Sequence, residues 1–419
     1  MSTRACASLL FSLCVSVAAL ACEAKTDGQG PTAGDGNDGL VASPISQGNE
    51  VASQPTANAN VGDGNAPTLA MGPNVAFVGR VATWNGNQTV LSWSGTQVVG
   101  GFVGSSIGAK LAFANNASYP GLGDVNHFVD VAIDGTPKGT LEIGRNSQQV
   151  QLASGLAAGR HQVVLTKRTE AQIGCLLFSG FVYAAGGGPA ATTALPGRRI
   201  EFVGDSGLVG YGADGNSPKE AGTSCKFTTA TENASASYAM VAASLLGAQP
   251  HIIGCSGKGL AKNRDAVNDG TNVLPVMWTW TIGDPELSQA DWQPSSWPAD
   301  AVVVNIGGND FATNNGYSTS AASGLIGKSS AFLKQLRVAY PNAWLFVMVS
   351  PMLDAELRST AEAAAASMVA AVGGSKAAFL PLPYDDGSRG YGCDYHMTVA
   401  THRLIGQSLA ASMKAKMGL

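Results

Sequence analysis

The chain has 419 residues, with 25 Lys and Arg against 29 Asp and Glu and only 13% charged positions. This mildly acidic balance, without a long basic run, argues against nucleic acid or anionic surfaces as partners. The length exceeds what one core usually fills, so two folded domains are expected, and 53 glycines suit a loop-rich extracytoplasmic protein.

At the N-terminus, Arg4 precedes the apolar stretch ASLLFSLCVSVAALA. That stretch is too short to span a bilayer and has the length of a signal h-region. Residues 1–21 are therefore expected to be a signal peptide ending in the small-x-small site Ala19-Leu20-Ala21. Cys22 follows directly and resembles the lipidated cysteine of bacterial lipoprotein signals, although Leu20 sits one position closer to it than is usual there. The expectation is a bacterial protein that is secreted or anchored to the outer membrane, with Cys22 as the candidate lipid anchor. No later segment is long and apolar enough to cross a membrane. Residues 22–71 are rich in Gly, Ala, Asn and Pro without an apolar period, so they read as a flexible linker with an r.m.s. span of roughly 35–40 Å.

Residues 72–186 contain short Val-, Phe- and Leu-rich runs separated by Gly and Asn turns, from VAFVGRVATW to CLLFSGFVYA. This spacing predicts an all-β sandwich, specifically a jelly roll. AAGGGPAATTALPG then reads as an interdomain linker ending near Gly197. From residue 197 to 419 the period changes. IEFVG, HIIGC, AVVVNIGG, AWLFVMVS and AAFLPL alternate with helices expected over 233–246, 320–339, 355–372 and 398–416. Continuous apolar strands alternating with helices predict an α/β three-layer domain with a parallel sheet covered on both faces. Its ligand crevice lies beyond the carboxyl ends of the strands, and Ser206, Gly257 and Asn309 each follow one of those strands.

Ser206, in EFVGDSG, needs a base, because a free hydroxyl is a weak nucleophile near neutral pH. Five histidines are available. His127 and His161 fall in the β-domain, His251 begins a strand at the wrong end, and His402 lies inside the last helix. His396, in GYGCDYHMTVATH, precedes that helix and is the expected base. Ester hydrolysis also needs donors for an oxyanion. The backbone of Ser206, Gly257 in CSGKG and Asn309 in NIGGNDF are the candidates. Asp205 reads as a structural hydrogen-bonding partner of its own turn. Trp278, Trp280, Trp292 and Trp297 cluster between two strands, as a saccharide platform or as packing under a long loop; Trp278 and Trp280 are the candidate substrate contacts. Cys175, Cys225, Cys255 and Cys393 allow three disulfide connectivities, and their spacing matches no zinc motif.

GDS, SGKG, GGND and the late Asp-x-His resemble the successive blocks of the SGNH (GDSL-type) hydrolases. More narrowly, GRHQVVLTKRTEAQIG, TTATENASASYAMVAASLLGA and GCDYHMTVATH resemble carbohydrate esterase family 2. The resemblance runs from about residue 74 to the C-terminus. It implies a jelly roll followed by an SGNH domain, no cofactor and no metal, and acetyl esterase activity on plant polysaccharides such as xylan and glucomannan. A monomer is expected. It also implies Ser206 as nucleophile, His396 as base, and Ser206, Gly257 and Asn309 as the oxyanion hole. Asp394 matches the family's acid position, whose carboxylate would orient His396, while some members use a backbone carbonyl instead. Tyr395 stands where the family often carries Trp and is the candidate sugar-stacking residue. Met397 replaces a usual Pro, and Ser206-Gly207-Leu208-Val209 replaces Ser-Ile-Thr-Cys, which leaves the partner of Cys225 unassigned. Two other readings fit the same residues: a non-catalytic glycan-binding protein on an esterase scaffold, or an enzyme acting on a lipid, thioester or peptidoglycan ester.

Overall fold

The structure is a computed structural model, and it describes residues 68–70, 74–84, 87–113, 126–146, 148–219, 224–264, 272–284, 291–313, 316–319 and 324–419. The expected signal peptide, Cys22 and most of the linker lie outside the described residues.

Alternation of apolar and polar residues builds the first domain. In His127–Ile133 every second residue is buried, because successive side chains of a strand point to opposite faces. Two six-stranded antiparallel sheets result, and Phe102, Val131, Leu165, Phe178 and Phe181 fill the space between them. Two segments read as linker are strands instead. Thr68–Ala70 pairs with the interior strand Leu176–Tyr183, and Gly188–Ala190 pairs with Gln97–Val103 at the edge of the other sheet.

The second domain is an α/β three-layer unit. Its five parallel strands run in the order Ala248–Gly254, Arg198–Gly204, Ala301–Ile306, Trp344–Val349, Ala377–Phe379. All six residues of Ala301–Ile306 are buried, and period two divides them between the faces. Val302 and Val304 meet the helices Leu325–Ala339 and Ala355–Val372. Ala301 and Val303 meet Tyr238–Leu245 and Val399–Met417. The last two long helices occupy nearly the expected spans, with Asp354 and Thr398 as N-caps accepting from Leu357 N and Thr401 N. The helix expected over 233–246 is shorter, because Ser237 caps it only at Tyr238 and a 3₁₀ turn, Ala234–Ala236, precedes it. Among the described residues no helix is long and apolar enough to cross a membrane.

Buried polar contacts join the two domains. Arg80 of the sandwich pairs with Glu201 at 2.8 Å, both fully buried, and donates to the carbonyls of Trp278 and Trp280. Trp278 donates from Nε1 to Glu201 at 2.5 Å and is only 4% exposed. The expected role of Trp278 as a saccharide contact is thereby corrected, since its indole is taken up by the buried Arg80–Glu201 pair. Trp280, only half-buried, gives its carbonyl to Arg80 and packs against the same core.

Candidate active site

The sheet register aligns Gly204 with Gly254, so the segments leaving these neighbouring strands emerge side by side, about 4.8 Å apart. Ser206 opens a four-residue helical turn, capped by Asp205 accepting from Gly207 N at 3.0 Å. Asn305 Nδ2 donates to the same carboxylate at 3.2 Å. Its other oxygen faces Gly308, where a Cβ would lie 2.0 Å away; glycine is required there. Asp205 thus ties the Ser206 turn to the GGND block. Burial raises its pKa to about 6; the charge of Asp310 adds to this, and the Gly207 N–H opposes it.

His396 arrives from the opposite side, in the loop before the last helix. Its Nε2 lies 2.8 Å from Ser206 Oγ. Its Nδ1 lies 3.1 Å from the carbonyl of Asp394 and 3.2 Å from that of Cys393. Both partners are acceptors, so Nδ1 carries the hydrogen and Nε2 is free to accept from the serine hydroxyl. Asp394 and Tyr395 have φ of 49° and 63°, a left-handed pair of non-glycine residues that costs on the order of 1–3 kcal/mol each. This bend brings two consecutive carbonyls to one imidazole nitrogen. Burial pulls the His396 pKa down to about 4, against the two carbonyls and the Asp394 charge, which favour the cation.

The Asp394 carboxylate does not meet the ring. It accepts from Phe227 N at 3.1 Å, Tyr211 Oη at 3.2 Å and Lys226 Nζ at 3.2 Å. The expectation that this carboxylate orients His396 is therefore corrected to its main-chain carbonyl. The left-handed backbone turns the side chain away from the imidazole and toward the 225–227 segment. That segment is held by Asp394 N donating to Cys225 O at 3.0 Å and by a disulfide between Cys225 and Cys393. Cys175 and Cys255 are free and buried.

Gly257 has φ of 76°, a conformation open to glycine at little cost. Asn309 donates from Nδ2 to Lys258 O at 2.9 Å, which fixes its amide plane and leaves a second N–H. The next residue, Asp310, accepts from Leu260 N at 3.2 Å, Ala261 N at 2.7 Å and Lys262 N at 3.3 Å. One carboxylate thus pins the Gly257 loop to the Asn309 block. Tyr395 stands at the rim, 59% exposed, in edge contact with Tyr391 at 5.4 Å.

Sequence reasoning missed Tyr211, whose ring covers His396 at 4.3 Å and stacks on Phe227 at 3.9 Å. Its place in GYG, five residues after Ser206, was the available signal. The other histidines serve the fold. His402 accepts from Tyr238 N at 3.2 Å, His251 stacks on Trp297, and His127 meets Thr169 Oγ1 at 2.6 Å. His161 pairs with Asp134 in the sandwich.

Comparison with known proteins places this arrangement. Residues 77–192 match the carbohydrate esterase 2 N-terminal domain model and residues 202–404 match the GDSL-like lipase/acylhydrolase family. The chain is 32% identical over 349 residues to cellulase/esterase CelE of Acetivibrio thermocellus, covering 83% of this chain but only 40% of that relative. It is 27% identical over 277 residues to an acetylxylan esterase/glucomannan deacetylase of Cellvibrio japonicus, covering 63% of this chain and 72% of the relative. The solved structure of a family two carbohydrate esterase from Clostridium thermocellum in complex with cellohexaose superposes with a TM-score of 0.73. It is 30% identical, covering 82% of this chain and 99% of that one. A sandwich, a parallel sheet and a Ser–His pair at its carboxyl rim, matched along nearly the full length of such a relative, identify the chain as a member of carbohydrate esterase family 2.

Proposed function

We propose that the protein is an exported carbohydrate O-acetyl esterase acting on acetylated plant polysaccharides by an acyl-enzyme route. The observation that carries the reading is the 2.8 Å contact between His396 Nε2 and Ser206 Oγ, with Nδ1 committed to two carbonyls. Ser206 Oγ attacks the acetyl carbonyl carbon while its proton passes to His396 Nε2. The carbonyl π pair moves to oxygen, where Ser206 N, Gly257 N and Asn309 Nδ2 receive the charge. Collapse breaks the bond to the sugar oxygen, which takes the proton from Nε2 and leaves as a free hydroxyl. Water then attacks the acetyl-serine, gives its proton to Nε2, and acetate departs as Ser206 regains its hydrogen.

The relatives named for acetylxylan esterase and glucomannan deacetylase activity support xylan and glucomannan as substrates. The exposed Tyr395 at the rim suits stacking on a sugar face. Acetate release from acetylated xylan, glucomannan, pectin and peptidoglycan tests the reading. Preference for xylan or glucomannan is expected, and comparable rates on all four substrates defeat the specificity.

A further inference from the structure

Glu170 belongs to the sandwich domain, three residues beyond Lys167, the last residue of the strand Arg160–Lys167. It is fully buried, and its carboxylate reaches into the hydrolase domain, where Oε2 accepts from Ser256 N at 2.6 Å. Its own placement is over-determined. Glu170 N donates to Glu232 Oε2 at 3.1 Å, and Lys167 Nζ donates to the carbonyls of Thr169 and Glu170. Arg168 Nε donates to Glu232 O at 3.1 Å.

Ser256 immediately precedes Gly257. A glycine has no Cβ to confine its backbone, so the direction of the Gly257 N–H depends on what holds the flanking peptides. On the C-terminal side the hydrolase domain supplies the restraints. Gly257 O accepts from Arg264 N at 2.8 Å, Lys258 O accepts from Asn309, and Asp310 gathers the N–H groups of residues 260–262. On the N-terminal side Cys255 N donates to Gly204 O and Cys255 O accepts from Lys258 N, both at 3.3 Å, and the shorter contact, at Ser256 N, comes from the sandwich. We propose that Glu170 is a positioning residue through which the sandwich domain sets the oxyanion donor at Gly257. This rests on the acyl-enzyme reading above. It makes the sandwich part of the reaction machinery even for an ester too small to touch it.

The test compares Glu170→Met, which keeps the length of the side chain without the acceptor, with Glu170→Gln, which keeps an acceptor oxygen. Substrate is p-nitrophenyl acetate, and folding is followed by circular dichroism. Losing an oxyanion donor outright costs about 10²–10³ in kcat. A misdirected one is expected to lower kcat of Glu170→Met about 10- to 100-fold, with KM little changed. Glu170→Gln recovers most of that loss. Phenylboronic acid, whose adduct on Ser206 places an oxygen among the same donors, loses affinity in Glu170→Met in parallel with kcat/KM. A merely structural role would not split kcat from KM in this way. Wild-type kcat in folded Glu170→Met overturns the proposal, as does a loss in Glu170→Gln equal to that in Glu170→Met or an unchanged boronate affinity. Should Glu170→Met fail to fold, Glu170→Asp, which draws the acceptor back by one methylene, replaces it with the same outcomes. Wild-type turnover in the same assay separates the two ideas: an inactive wild type refutes the esterase reading itself, whereas an active Glu170→Met refutes the positioning role alone.

Discussion

Substituting Asp394 by Asn distinguishes a main-chain orienter from a carboxylate one. Where a carboxylate holds the imidazole of a serine hydrolase, the Asn variant loses about 10⁴-fold in kcat, because the amide favours the wrong tautomer. Here Nδ1 is held by the carbonyls of Asp394 and Cys393, which the substitution leaves in place. Asn keeps an acceptor for Phe227 N and, like Asp, tolerates the φ of 49°. What is lost is the ion pair with Lys226, which is 84% exposed, worth about 0–1 kcal/mol. The screened attraction between the carboxylate and a forming imidazolium is also lost, on the order of 1–2 kcal/mol. With tenfold per about 1.4 kcal/mol, kcat/KM on p-nitrophenyl acetate should fall about 5- to 30-fold, with little change in Tm. Asp394→Ala is the harsher change. It leaves Phe227 N without its acceptor, costing about 1–3 kcal/mol of stability, and forces an ordinary side chain into the left-handed region. A loss of 10³-fold or more in well-folded Asp394→Asn would refute the main-chain assignment.

Because the His396 imidazole is pulled down to about 4 by burial, its neutral, basic form persists well below the ordinary histidine range. The acidic limb of kcat/KM should therefore fall away as pH drops through about 4, and a limb near 6.5 would contradict the burial argument. Arg80→Met leaves Glu201 in the core with Trp278 Nε1 and Tyr340 Oη as hydrogen-bond donors and His251 Nδ1 at 3.9 Å, and should cost about 3–5 kcal/mol in urea unfolding. Adding Glu201→Gln should restore much of this, and a single-variant cost under about 1 kcal/mol would refute the buried pair's weight. The double variant Cys225→Ser/Cys393→Ser opens a link across 168 residues and should lose about 2–5 kcal/mol. Its kcat/KM should fall as well, because the Cys393 carbonyl faces His396; unchanged stability and rate would show that the loop is held without the bond.

The architecture and the meeting of Ser206 with His396 were legible because each leaves a local signature. The change from alternating to continuous apolar runs near residue 197 marks the passage from sandwich to parallel sheet, and the strand-then-glycine junctions mark its rim. Side-chain direction was not legible. Whether Asp394 offers its carboxylate or its carbonyl depends on two left-handed φ values, and Tyr395, one of the two residues, is of a type that rarely adopts them. The Trp cluster misled for a related reason. Aromatic content alone does not separate a sugar platform from a core, and the decision came from Arg80 and Glu201, 121 residues apart. Glu170 was equally hidden, since its partner Ser256 lies in the other domain, 86 residues away. The run KRTE was nonetheless a dense cluster of charge just after the strand's apolar Val163-Val164-Leu165 stretch.

The central claim is that Ser206, activated by His396, carries the acetyl group. Acetate release from acetylated glucomannan by wild type and by Ser206→Ala, each verified as folded, tests it most directly. Steady release by wild type and none above background by the variant is the predicted result. Comparable release by folded Ser206→Ala would contradict the account.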